Sequence, residues 1–378
     1  IILDYKLNIM RKIKIGTFFS GVGAPEQALK NINIKHSIEF ACDIDKYARQ
    51  TYLKNFKPKK MYDDIKLLDM KNLSYVDLLV FGFPCQSFSI AGKRGGFEDT
   101  RGTLFYDALR YLKKHRPRYF IAENVRGLVN HDTGKTFQTI IDCIAKTVNY
   151  QFSIMPFDNL GYHIHYKVLN TKDYGIPQNR ERIFIIGIRD DADNTFSFPK
   201  KIRLNKKLSD ILEYDVDKKY YLSNKAKKKL QRYKQAGKDH QYVKNSIITH
   251  SLHRRTSKTG KGGSGPLNKN DNTSYCIDTG NMQAIEWIAD FRNDEGLRIR
   301  KDNISPCLAT RRHSETDIST MPPLIKNNKI RRLTPVECER LQGFPDNFTE
   351  GVSDTQRYKQ MGNTITVKVL EYILIKLL

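Results

Sequence analysis

From Ile13 to about Arg189 the chain alternates short β-branched and aromatic runs with stretches of helical spacing. That alternation restricts the fold to βαβ units, an α/β class with a doubly wound, largely parallel sheet. Candidate strands are Ile13–Phe19, Ile38–Cys42, Tyr75–Phe81 and Tyr119–Ala122, and residues 164–170 and 182–189 are expected to form a terminal hairpin. Sheets of this kind bind ligands outside the carboxyl ends of their strands. The turns that follow the strands are therefore where function is to be sought.

Beyond this region the pattern changes. From about residue 191 to 327 the periodicity fades into Lys, Asn, Gly, Ser and Thr, with an evident loop at Lys261-Gly262-Gly263-Ser264-Gly265-Pro266. The net charge of +24 is concentrated there: residues 201–270 carry 14 more basic than acidic residues. A segment this basic points to a polyanion, and nucleic acid is the favoured partner. Regular structure returns at Thr334-Pro335-Val336-Glu337, which reads as an N-cap, a proline at the first helical position and an acidic first turn. The apolar segment Thr366–Leu378 has helical spacing and is expected to pack back on the first domain.

The 378 residues suffice for two domains. No apolar run approaches the length needed to span a bilayer, and the first residues do not read as a secretory signal. Residues 1–9 precede Met10, a plausible natural start. The six cysteines are scattered, with no Cys-x-x-Cys and no cluster with histidine, which argues for a reducing cytosol and against a zinc site or disulfide framework.

Two turns carry chemistry. After the first strand, Phe19-Ser20-Gly21-Val22-Gly23 runs into a helix opened by Pro25, and Asp43 ends the second strand. Glycines let backbone approach a ligand closely, and a carboxylate placed like Asp43 accepts hydrogen bonds from ribose hydroxyls. A lone Gly-x-Gly is read as well by a structural tight turn. Position 26 is Glu, so the third glycine of a dinucleotide fingerprint is missing and a nucleoside without pyrophosphate, S-adenosylmethionine, fits better than NAD. The second turn, Gly82-Phe83-Pro84-Cys85-Gln86-Ser87, delivers one cysteine after a buried strand. An isolated Pro-Cys is more often a small buried hydrophobe than a nucleophile.

Six blocks then combine in one order: Phe19-Ser20-Gly21-Val22-Gly23, Pro84-Cys85-Gln86, Glu123-Asn124-Val125, Gln178-Asn179-Arg180-Glu181-Arg182, Arg340-Leu341-Gln342-Gly343-Phe344-Pro345 and Gln360-Met361-Gly362-Asn363-Thr364. Together they resemble the bacterial DNA (cytosine-5) methyltransferases, over roughly residues 11–190 and 328–378. The resemblance implies a catalytic domain of 11–190 plus 351–378, a target-recognition domain of 191–327 and a connecting segment of 328–350. It implies S-adenosylmethionine as methyl donor, with S-adenosylhomocysteine as product, and a cytosine flipped out of duplex DNA. Cys85 is then the nucleophile that adds to cytosine C6, favoured as thiolate by a basic pocket because free cysteine titrates near about 8.5. Glu123 bonds cytosine N3 and the 4-amino group from a largely dry pocket, and Asn124 holds the Pro84-Cys85 loop. Arg182 contacts the cytosine O2 and Arg180 orients the catalytic loop, both as alternate residues facing one side of a strand.

By the same matching, Phe19, Gly21, Val22, Gly23, Asp43, Ile44, Asp64, Ile65, Gly82, Pro84, Leu104, Asn363, Thr364 and Ile365 form the cofactor site. The family commonly has Glu where this chain has Asp43 and can have an aromatic residue where it has Ile44, while Thr364 replaces a frequent serine. Residues 86–103 form a mobile element rich in glycine and positive charge, with Ser89, Lys93 and Arg101 as phosphate contacts. Arg254, Arg255, Arg311 and Arg312 are candidates for base or phosphate contact in the variable region. The family's Thr-Leu dipeptide there corresponds at best to Cys307-Leu308, so no recognition sequence is assigned.

The leading expectation is an active cytoplasmic methyltransferase of bacterial or phage origin, monomeric, either partnered with a restriction endonuclease acting on the same site or solitary. A tRNA substrate and a catalytically silent DNA-binding relative are the alternatives. The large basic insert speaks against the first, and the presence of Cys85, Glu123 and Arg182 against the second.

Overall fold

The computed structural model describes residues 12–83, 104–152, 159–221 and 331–378, with the backbone of short strands between 249 and 330. Those residues fall into two compact units. The first comprises Ile1–Leu169, Glu181–Lys200 and Val369–Leu378, and the second Asn170–Arg180 and Lys201–Lys368. Compactness thus groups residues 351–368 with the second unit and sets a boundary at Lys200/Lys201, where the sequence suggested 190/191.

The first unit is built on a sheet whose strands are β1 (Ile13–Phe18), β2 (His36–Cys42), β3 (Met61–Tyr62), β4 (Leu78–Gly82), β5 (Tyr119–Val125), β6 (Ala145–Val148), β7 (Gln151–Phe152), β8 (Tyr162–Asn170) and, after a short β9 (Gln178–Asn179) outside this sheet, β10 (Glu181–Arg189). Their order is β3-β2-β1-β4-β5-β10-β8-β6-β7. The first five are parallel neighbours, and β10 is antiparallel to β5. The order reverses at β1, which makes the β1/β4 edge the topological switch point where such sheets open a crevice. β8 and β10 are neighbours as expected, but they do not end the sheet, because β6 and β7 extend it beyond them.

Parallel strands covered on both faces read as continuous apolar runs. β4 is the clearest case, with Leu78, Leu79, Val80 and Phe81 all essentially inaccessible. Phe18, Phe40 and Tyr111 pack ring against ring at 5.2–5.6 Å, Tyr111 coming from α3 (Leu104–His115). Helices α1 (Ala24–Asn31) and α2 (Lys46–Asn55) follow β1 and β2, and α4 (Lys135–Ile144) precedes β6. The final helix, α7 (Val367–Leu377), sends most of its length into the first unit, where Asn31 Nδ2 donates to Glu371 Oε1 at 2.7 Å.

In the second unit, α5 (Pro335–Gln342) starts as its sequence predicts. Thr334 is the N-cap, Pro335 lies in the first turn, and Thr334 and Glu337 form a reciprocal capping box. Glu337 does more than cap. It is fully buried, takes two hydrogen bonds from Arg331 (2.8 and 2.7 Å), and accepts from Glu213 N (2.9 Å). Breaking a buried ion pair from one side strands the other charge, so Glu337→Ala is expected to lose about 3–5 kcal/mol in urea unfolding. Joint replacement of Arg331 and Glu337 by methionine is expected to recover a large part of that loss. A Glu337→Ala loss below about 1 kcal/mol would place the unit's stability elsewhere.

Candidate active site

Four strand ends bring the predicted residues of the first unit together. β1 leads into Phe19–Gly23, β2 into Asp43, β4 into Gly82-Phe83, and β5 carries Glu123 and Asn124. The first turn is held in an unusual backbone: Phe19, Gly21 and Gly23 have φ of 52°, 54° and 91°. Glycine adopts that region freely, whereas Phe19 there costs about 1–2 kcal/mol. Surrounding contacts impose it. Ser20 N donates to Cys42 O at 3.0 Å, Cys42 N donates to Ser20 Oγ at 2.9 Å, and Gly23 N closes on Ser20 O at 3.0 Å. At Gly23 a Cβ would lie 2.4 Å from the Phe56 ring, so no side chain fits.

Asp43 faces this turn. Its Oδ2 accepts from Gly21 N (2.7 Å) and its Oδ1 from Asp45 N (2.8 Å). Burial raises its carboxyl above the usual carboxylate value, and the hydrogen bonds from Asp45 and Gly21 act against that. Each oxygen keeps a second lone pair for a ligand hydroxyl. Ile44 beside it is exposed to 76 %, an apolar surface fit for a flat heterocycle. Asp64 caps the short turn Ile65–Leu67 through Lys66 N. Ile65 itself is buried, whereas Leu67, which the sequence did not single out, is 81 % exposed. This acceptor arrangement suits a nucleoside with free ribose hydroxyls. Val22 is buried, and Phe19, Gly82 and Leu104 are half-buried.

At the second turn, Gly82 of β4 pairs in register with Glu123 of β5. Asn124 Nδ2 donates to Phe83 O at 2.9 Å and so fixes the residue just before Pro84. Glu123 is buried, and Arg182 Nε lies 3.1 Å from its Oε1. Glu123 and Asn124 lie inside β5, which runs on to Val125, rather than capping a helix. Arg182 pairs opposite Val125 on β10, whose side chains thereby reach the carboxyl end of β5.

Arg180 departs from the expectation that it shares a strand face with Arg182. The strand is interrupted there: β9 ends at Asn179 and β10 begins at Glu181. Arg180 is buried in the second unit and donates to Gly362 O (3.1 Å) and Thr364 O (2.7 Å). Around it, Gln178 Nε2 donates to Leu341 O, Gln342 Nε2 to Met361 O, and Thr366 Oγ1 to Gln342 Oε1, at 2.6–2.8 Å. Three of the six sequence blocks are thus tied to one another within the second unit. Asn363 ends α6 (Asp354–Asn363), Thr364 is its C-cap, and Thr364 and Ile365 are buried.

Pro84, Cys85, Ser89, Lys93, Arg101, Arg254, Arg255, Arg311 and Arg312 lie outside the described residues. Among the described residues, the free cysteines Cys42, Cys143 and Cys338 are all buried. Burial, with Asp43 and Asp64 adding to it, pushes the Cys42 thiol up to about 12, and burial drives Cys338 upward as well. Neither is a nucleophile near neutrality. No group of three or more His, Cys, Asp or Glu residues that could hold a metal occurs among the described residues. No described helix is long and apolar enough to cross a membrane.

The family model for C-5 cytosine-specific DNA methylase matches residues 13–378. The orphan methyltransferase M.SPRI of Bacillus phage SPR is 32 % identical, over 96 % of this chain and 97 % of its own length. Type II methyltransferase M1.ScrFI of Lactococcus lactis subsp. cremoris is 35 % identical over 97 % of this chain and 78 % of its own. Type II methyltransferase M.HpaII of Haemophilus parainfluenzae is 34 % identical, over 96 % and 88 %. Among solved structures, a mutant of Spodoptera frugiperda DNMT2 superposes with a TM-score of 0.62 at 20 % identity, covering 97 % of this chain and 99 % of its own. At that identity the likeness speaks for the fold.

Proposed function

Because the chain belongs to the C-5 cytosine-specific DNA methylase family and is a DNA cytosine methyltransferase, we propose that it methylates a flipped-out cytosine by covalent catalysis through Cys85, with S-adenosylmethionine as donor. The observation that carries this reading is the register Gly82–Glu123, with Asn124 on Phe83 O and Arg182 on Glu123. It brings Gly82 and Phe83, which precede Pro84 and Cys85 in the chain, beside a buried carboxyl group that is paired with a guanidinium.

Cytosine C5 is a poor nucleophile, and the chain's residues must first activate the ring. The Cys85 thiolate adds to C6, and the C5–C6 electron pair moves onto C5. Glu123 shares its proton with N3 as that nitrogen becomes more basic, and Arg182 holds O2. S-Adenosylmethionine, when bound, would supply the electrophilic methyl group to C5, its S–CH3 bond breaking to leave S-adenosylhomocysteine. Loss of the C5 proton to a base returns the electron pair to the C5–C6 bond and expels the thiolate. The base must leave the duplex stack for any of this to occur.

Asp43 is the group we assign to the ribose hydroxyls, with Ile44, Asp64 and Ile65 flanking the adenine, Phe19, Gly21, Val22 and Gly23 lining the site, and Pro84 and Leu104 near the methionine end. Gly82, Asn363, Thr364 and Ile365 complete the proposed site on motif position. Arg180 we assign to holding the segment Gly362–Thr364, on the strength of its two hydrogen bonds. Ser89, Lys93, Arg101, Arg254, Arg255, Arg311 and Arg312 are proposed DNA contacts, within a target-recognition region of 191–327. Relatives of this chain come from bacteria and bacteriophages and include both orphan and type II enzymes. We accordingly place the protein in a bacterial cytoplasm, as a monomer, with or without a cognate endonuclease.

Bisulfite sequencing of plasmid DNA from cells expressing the chain, beside a Cys85→Ser control, tests the reading. Conversion-resistant cytosines in one short sequence context, absent from the control, are expected. Soluble protein that leaves every cytosine convertible would sink the covalent DNA reading and turn attention to RNA.

A further inference from the structure

Glu26 stands where a dinucleotide-binding turn has its third glycine, and none of the chemistry above uses it. It is fully buried in the first turn of α1, whose N-cap is Gly23. Its Oε1 accepts from Thr17 Oγ1 of β1 at 3.0 Å and from the Tyr52 hydroxyl of α2 at 2.6 Å. Thr17 Oγ1 also lies 2.8 Å from Ser20 Oγ, which accepts from Cys42 N at 2.9 Å. Cys42 precedes Asp43, whose Oδ2 returns to Gly21 N at 2.7 Å. These contacts close a circuit through β1, α1, α2, the glycine turn and the end of β2. All of it lies in the first unit.

Among the described residues, Glu26 Oε2 has no hydrogen-bond partner, and Oε1 meets two hydroxyls rather than a cation. An isolated carboxylate in such surroundings is costly. Burial accordingly pushes the Glu26 carboxyl up, against the hydrogen bonds from Tyr52, its own backbone and Thr17.

We propose that Glu26 is a positioning residue of the cofactor site, tying Thr17 and Tyr52 through Oε1 so that the glycine turn and the Asp43 carboxylate are set for the ligand before it binds. The inference rests on the reading of this turn as the S-adenosylmethionine site. A ligand held by preset groups loses less on ordering, so removing the tie weakens affinity more than it slows chemistry.

The test is calorimetric binding of S-adenosylmethionine and S-adenosylhomocysteine, with methyl transfer at saturating cofactor and thermal melting recorded in parallel. Unaltered protein is measured first: if it binds neither, the cofactor reading itself fails, and the inference with it. If it binds, Tyr52→Phe and Thr17→Val, each losing one donor, are expected to raise Kd about fivefold to twentyfold. Glu26→Leu is expected to raise it further, with kcat at saturating cofactor within about twofold for all three. Glu26→Gln keeps the Oε1 acceptor and is expected within about threefold of the unaltered Kd. Unchanged affinity in Tyr52→Phe and Thr17→Val overturns the proposal. So does a parallel fall of affinity, kcat and melting temperature, or a Glu26→Gln variant as weak as Glu26→Leu. Should Glu26→Leu fail to fold, Tyr52→Phe decides the matter, since it removes a single hydroxyl.

Discussion

Cys85→Ala is expected to lower methyl transfer by about 10⁶-fold, the scale seen when an enzyme loses its nucleophile, while leaving cofactor binding close to unchanged. The buried thiols of the first and second units cannot substitute. Burial pushes the Cys42 thiol up to about 12, far from a thiolate near neutrality. A tritium-transfer assay from labelled S-adenosylmethionine into duplex DNA measures the loss. Trapping gives the chemical identity of the step. DNA with fluorine at the target C5 accepts the methyl group but has no proton there to lose, so the C6–sulfur bond cannot break. A stable protein–DNA species is expected with unaltered protein and none with Cys85→Ala. Residual transfer within about tenfold of normal, or trapping that survives the substitution, would move the nucleophile elsewhere.

The parts of the fold legible in the sequence are those written by local physics. β4 announces itself because a parallel strand buried on both faces is apolar throughout. α5 announces itself because Thr334, Pro335 and Glu337 each solve a problem of the helix start. The glycine turn shows in Gly21 and Gly23, whose backbone needs the left-handed region. What stayed hidden depends on distant partners. β3 is two residues long and exists only because β2 offers an edge at Ala41 and Cys42. Nothing in Gln178-Asn179-Arg180-Glu181-Arg182 says that the strand breaks at Arg180. That break follows from the carbonyls of Gly362 and Thr364, more than 180 residues away in the chain. Glu26 reads in sequence only as an absent glycine, because its role lies in Thr17 and Tyr52 on other elements. In the same way, alternation placed Arg180 and Arg182 on one face, while register placed only Arg182 beside Glu123.

That register supports the second large effect. Glu123→Gln keeps the shape of the side chain but cannot share a proton with cytosine N3, and the expected fall in kcat is about 10²–10⁴-fold. Arg182, proposed to hold the same base from the neighbouring strand, is ion-paired with Glu123 at 3.1 Å, and Arg182→Ala leaves a buried carboxyl group without its guanidinium. Its expected loss in kcat is also about 100-fold or more, and Arg182→Lys restores little, because an ammonium lacks the planar fork. In the proposed mechanism both groups bear on one ring in one step, so their effects are not expected to add. The Glu123→Gln, Arg182→Ala double variant is expected to lose about as much as the worse single one. Single-turnover kinetics with saturating DNA and cofactor separate this from weakened binding. Purely structural roles would instead lower the melting temperature and raise the KM for DNA while sparing the chemical step. Glu123→Gln turning over within about threefold of the unaltered enzyme would remove Glu123 from the proton transfer and leave activation of the ring to the thiolate alone.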